Sequence, residues 1–92
     1  MTSRELHKSH PEIVNRLRRA EGHLRSIIEM FEAGRRCLDI AQQLQAVEQA
    51  VTQAKRILVH DHIDHCLENG AKRDARAARK SLAESKLITK YL

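Results

Sequence analysis

The sequence predicts an all-α protomer of three helices, the central one long, that associates with copies of itself. Only one of the 92 residues is Pro and three are Gly, while Ala, Leu, Ile, Arg, Glu and Gln dominate, residues that fit a helix at little cost. Apolar positions recur every three or four residues through two long segments, which is the period of a helix face. A chain of this size buries only about 60–65% of its unfolded surface, so association supplies core that one copy lacks. Residues 1–92 are expected to form a single domain, with 1–9 a polar, flexible tail carrying His7.

The first helix starts at Ser9-His10-Pro11-Glu12. Ser9 is placed to cap, Pro11 suits the first turn and Glu12 completes a capping box. Ile13, Leu17, Ala20, Leu24, Ile27 and Phe31 make its apolar face, and Gly34 stops it. The second helix is expected from near Arg36 to about Glu68, with Asn69-Gly70 ending it. Ile40, Leu44, Val47, Val51, Ala54 and Leu58 alternate in steps of four and three, a heptad-like seam that Ala41, Ala46 and Ala50 widen. A helix of that length is too long to be covered by its one neighbour in the same chain. A third, weaker helix spans about Asp74 to Leu92, with Ala78, Leu82, Leu87, Ile88 and Tyr91 as its apolar positions. Arg73, Arg76, Arg79 and Lys80 make its beginning basic, against the helix dipole.

Seventeen Lys and Arg against twelve Asp and Glu leave a net charge of +5, which favours a polyanionic partner. One Tyr and one Phe provide no stacking platform for single strands or RNA loops, so duplex DNA held by its phosphates fits better. Arg16, Arg18, Arg19 and Arg25 crowd the first helix, and Lys55-Arg56 lies late in the second. Arg16 and Arg19, three apart, share a face. The bland reading of such a cluster is a solvated surface. No recognition helix follows a tight turn, and no CxxC…HxxxH pattern suggests a zinc finger. No apolar run approaches a membrane span and no signal peptide precedes the first helix. The expected place is the cytoplasm, where two cysteines stay reduced.

Cys37, His62 and Cys66 are the candidate metal ligands. His62 and Cys66 stand four apart, one above the other on a helix. Cys37 lies 29 residues before Cys66 (66 − 37), roughly 40 Å away at about 1.5 Å per residue. At about 100° per residue, all three fall within roughly 20° of one line along the helix. Ligands at opposite ends of one face meet only if a second copy packs antiparallel. Alone, Cys37 reads as a small hydrophobe and His62 as a solvated or core histidine. Two thiolates and an imidazole suit Cu(I), and Zn(II) or Ni(II) if a fourth ligand arrives. His65 is a further candidate ligand, His60 a weaker one, and His7 in the tail could complete a higher-coordinate Ni(II) or Co(II) site. A Cys37–His62 nucleophile pair lacks an accompanying Gly-rich turn, oxyanion donor or cleft, so catalysis is not expected.

With Asn15-Arg16-Leu17-Arg18, Glu21-Gly22-His23-Leu24, Cys37, Gln43-Leu44-Gln45-Ala46-Val47 and His60-Asp61-His62-Ile63-Asp64-His65-Cys66 in order, the chain resembles the CsoR/RcnR family of metal- and small-molecule-sensing repressors over roughly residues 11–92. The resemblance implies an antiparallel four-helix-bundle dimer, paired into a disc-shaped tetramer, a dimer of dimers. It implies metal sites that take Cys37 from one protomer and His62 and Cys66 from its neighbour. The Cys–His–Cys set matches the copper-sensing branch, and Arg16 stands where that branch carries arginine and one nickel-sensing branch histidine. The formaldehyde-sensing branch usually lacks the second thiol, and persulfide sensors lack the histidine. Two positions depart from the copper pattern: Arg36 stands where tyrosine is usual, and Lys86 aligns with a glutamate of the third helix. The implied function is a repressor that binds double-stranded operator DNA when empty and leaves it when metal, Cu(I) foremost, is bound. Ni(II)/Co(II) sensing, thiol-reactive sensing and a metal-buffering helical oligomer without a DNA role are the alternatives.

Overall fold

The computed structural model describes the backbone of residues 9–70 and 75–92, and the side chains of these except 66–70, 77, 78 and 81. Among these residues three α-helices follow in chain order: α1 (His10–Glu32), α2 (Cys37–Gly70) and α3 (Ala75–Ile88), with a 3-10 turn at Thr89–Tyr91. Among the described residues there is no strand. The all-α, three-helix expectation holds, including the long central helix.

The helix ends show which local signals act. Ser9 does not cap: its Oγ is buried without a hydrogen-bond partner among the described residues. Glu12 turns instead to Arg16, 3.3 Å away. The start of α1 therefore rests on Pro11, whose missing N–H costs nothing in the first turn, and on the Glu12 charge at the positive end of the dipole. The other end follows the glycine signal. Gly34 takes φ +70°. Its N–H donates to the Phe31 carbonyl at 3.1 Å and the Arg35 N–H donates to the Met30 carbonyl at 3.0 Å. That pair of bonds is the Schellman motif, which satisfies the last carbonyls of α1 and turns the chain. The Arg36 carbonyl then accepts the first helical bond of α2 from the Ile40 N–H at 3.1 Å. Asp39, in the first turn of α2, opposes the dipole's positive end.

The chain divides into two compact units, one of Glu12–Ala54 and one built on Lys55–Leu92. In the first, α1 and the early part of α2 run antiparallel. Ile27 packs with Ile40 and Val47, Met30 beside them, and the His23 Nε2–H donates to Gln43 Oε1 at 2.6 Å. In the second, Val59 is almost fully buried, and α3 meets α2 where Glu84 faces His62.

Burial sorts the apolar positions into two lines, each with a seven-residue repeat. Ile13, Ala20 and Ile27 on α1 are buried, as are Ile40, Val47 and Ala54 on α2. The alternate positions stay open: Leu17, Leu24 and Phe31 on α1 are 43%, 43% and 60% exposed, and Leu44, Val51 and Leu58 on α2 are 43%, 44% and 36% exposed. One line of each heptad closes the chain on itself. The other leaves its apolar side chains exposed.

Candidate functional site

All three candidate ligands belong to α2. Cys37 is its first residue and an exposed free thiol. His62 and Cys66 lie one turn apart near its far end, so helical geometry stacks them on one face. The side chain of Cys66 lies outside the described residues. One helix, Cys37–Gly70, carries both Cys37 and Cys66. Among the described residues no three His, Cys, Asp or Glu side chains converge as a metal site.

Around His62 the structure adds a residue that the sequence reading missed. Glu84 Oε1 of α3 lies 3.7 Å from His62 Nε2, whose side chain is 13% exposed. A carboxylate beside Nε2 favours the tautomer with its proton there. The resemblance places a glutamate at Lys86, which is exposed here. The carboxylate comes from two residues earlier. Its signal was present, since Glu84 is the only acidic residue of Ala75–Ile88, but aligning across the α2–α3 connection obscured it. Arg36, at the other departure, holds Asp39 at 3.2 Å across the start of α2, and Arg35 reaches the same carboxylate at 3.6 Å. His65 is half-buried and His60 exposed on α2, while His7 lies outside the described residues.

The basic candidates fall on both units. Arg18 and Arg19 are exposed and Arg16 half-buried on α1, and Arg56 is exposed on α2. Arg16 and Arg25 each pair with a glutamate four residues earlier, at 3.3 and 3.7 Å. Exposed pairs of this kind contribute a few tenths of a kcal/mol, about 0.3–0.5, and yield readily to a stronger anion. Arg16 and Arg19 also line a pocket of about 270 Å³ together with Ala20, His23 and Ala50.

Across known proteins, the family described as metal-sensitive transcriptional repressor matches residues 9–90. The chain belongs to this family. The CsoR/RcnR resemblance read from the sequence is the same assignment. Among its relatives, the copper-sensing transcriptional repressor CsoR of Mycobacterium ulcerans (strain Agy99) is 39% identical over 64 residues, 70% of this chain and 55% of that protein. CsoR of Bacillus subtilis (strain 168) is 42% identical over 69 residues, 72% of this chain and 68% of that protein. The copper-sensing repressor RicR of Mycobacterium tuberculosis (strain ATCC 25618 / H37Rv) is 35% identical over 78 residues, covering 79% of this chain and 81% of its own length. The chain thus spans about half the length of the mycobacterial CsoR proteins. No solved structure matches it. No helix among the described residues is long and apolar enough to cross a membrane.

Proposed function

We propose that this chain is a cytoplasmic, metal-responsive transcriptional repressor that holds double-stranded operator DNA when empty and releases it on binding Cu(I). The observation that carries the reading is the pairing of two facts about α2. Cys37 and the His62–Cys66 pair occupy opposite ends of one helix, and the Leu44–Val51–Leu58 edge of that helix is open. An antiparallel second copy closing that edge brings Cys37 of one protomer to His62 and Cys66 of the other, and two such dimers pair into a tetramer. Two thiolates and one imidazole form a soft, three-coordinate donor set, which suits Cu(I) and leaves octahedral Ni(II) or Co(II) underligated. The copper-sensing names of the relatives agree with that donor set.

Each residue then has a part. Cys37, His62 and Cys66 hold the metal, Glu84 fixes the His62 ring, and Arg16, Arg18, Arg19 and Arg56 contact phosphates. Site and DNA are linked reciprocally: metal that weakens DNA binding is itself held more weakly on DNA. Fluorescence anisotropy on a labelled operator tests this. Salt-dependent binding by the apo protein, reversed by stoichiometric Cu(I) and unaffected by it in Cys37→Ala, is expected. Apo protein that ignores duplex DNA at low salt contradicts the repressor reading and favours metal buffering.

A second reading has its own support. The half-buried His65 lies one residue from Cys66, and Arg36 and Lys86 replace residues usual in copper sensors. A Ni(II) or Co(II) sensor would recruit His65, or His7 from the tail, as further ligands; Zn(II) would need one. Deleting residues 1–8 separates the cases, because a three-ligand copper site keeps its affinity and a tail-completed nickel site loses most of it.

A further inference from the structure

The net positive charge of the chain belongs almost entirely to α3 and the turn after it. Residues 75–92 carry five Lys and Arg against one Glu, a balance of +4 (5 − 1) out of +5 for all 92 residues. On α1, where arginines are more conspicuous, four Arg meet four Glu and the balance is zero. Arg16 and Arg25 there are tied to carboxylates, as are Arg35 and Arg36 ahead of α2. Arg76, Arg79, Lys80, Lys86 and Lys90 are exposed, and none of the five is in an ion pair among the described residues. Glu84, the one acid of α3, faces His62.

Helical phase gathers these cations on one side. At about 100° per residue, Arg76, Arg79, Lys80 and Lys86 fall within roughly 120° around α3. The buried Ser85 and half-buried Ile88 mark the opposite side. Lys90 follows Lys86 by four residues, in the 3-10 turn. From Arg76 to Lys90 the stripe runs 14 residues (90 − 76), roughly 20 Å at about 1.5 Å per residue. Its first members also occupy the opening turns of α3, where the positive end of the helix dipole opposes them. A polyanion along this side relieves both the mutual repulsion of the cations and their repulsion by the dipole.

We propose that the α3 stripe is a second contact for double-stranded DNA, made through backbone phosphates. This rests on the repressor reading and adds to it an element that the reading leaves without a DNA role. Roughly 20 Å corresponds to about six base-pair steps at about 3.4 Å each. Contacts of this kind position a protein on the duplex and carry no base sequence. An anionic membrane surface fits the stripe less well, because the exposed Leu82 and Leu87 lie about 140° apart around α3 and form no single apolar face. Lys86, one of the two departures from the copper-sensor pattern, is a member of the stripe.

The test uses the full-length protein and duplexes of several sequences, with affinity followed against salt. Arg79→Gln, Lys86→Gln and Lys90→Gln each remove one cation and keep a good helix former. Each is expected to weaken binding about equally across sequences and to lower the salt slope by about one unit, and the triple variant by about three. Lys86→Arg, which keeps the charge, should keep the slope. Arg35→Gln, the same charge loss outside α3, should leave the slope near wild type; a drop equal to that of Lys86→Gln would mean that only net charge matters and would overturn the contact. Wild-type protein that ignores duplex DNA removes the repressor reading and this contact with it. Wild-type binding with unchanged slopes in the three single variants overturns the α3 contact alone. If phosphatidylglycerol vesicles then sediment the wild type and not the triple variant, the stripe belongs to an anionic lipid surface instead.

Discussion

His62 has two ring nitrogens, and a carboxylate stands near one of them, Nε2. Glu84 stands 3.7 Å from Nε2, and in the proposed site its carboxylate would hold a proton there and orient the ring for the metal. Groups that orient a metal-bound histidine in this way typically carry a 10–100-fold share of affinity. Glu84→Gln keeps the shape and loses the charge, and is expected to weaken Cu(I) binding about 10-fold or more, with helix content by circular dichroism unchanged. Titration against a chromophoric Cu(I) chelator measures it; unaltered affinity would place Glu84 outside the site. The three candidate ligands were legible in the sequence because helical phase depends only on residue number. Glu84 was not, because its approach to His62 depends on how α3 packs against α2, and no periodicity encodes that. Ser9 shows the opposite error. The capping-box pattern is present, but Glu12 pairs with Arg16 and Ser9 Oγ is left without a bond among the described residues.

The elements follow the sequence closely where a backbone conformation has to be met. Gly34 adopts φ +70° with no atom within 4 Å of an added Cβ, so only the left-handed backbone, and no clash, opposes a side chain there. Gly34→Ala should cost about 1 kcal/mol through that backbone strain, read as a lower urea midpoint at unchanged m-value. The apolar seam was legible as a whole, but its division was not. Period alone cannot say which half of a heptad is buried within the chain; packing decides, and it buries Ile27, Ile40 and Val47. Substitutions on the two lines should therefore act differently. Ile27 is 2% exposed, so Ile27→Ala should cost about 2–5 kcal/mol of stability. Val51 is 44% exposed, so Val51→Arg should leave the protomer helical and move sedimentation toward smaller species. Loss of helix in Val51→Arg, with assembly retained in what remains folded, would contradict the division.

For the whole molecule the central claim is that the metal site belongs to two chains. One unbroken helix carries Cys37 at its start and Cys66 near its end, and the exposed apolar heptad positions on both long helices are where the proposal seats a second copy. The direct measurement is metal stoichiometry in a mixed dimer of Cys37→Ala and Cys66→Ala chains. Each variant alone should bind no Cu(I) tightly. In the mixed dimer, the intact Cys37 of the second chain faces the intact His62 and Cys66 of the first, so one tight site per dimer should return. A mixed dimer that assembles but binds no Cu(I) tightly would mean that each site draws its ligands from a single chain, and the shared centre would be wrong.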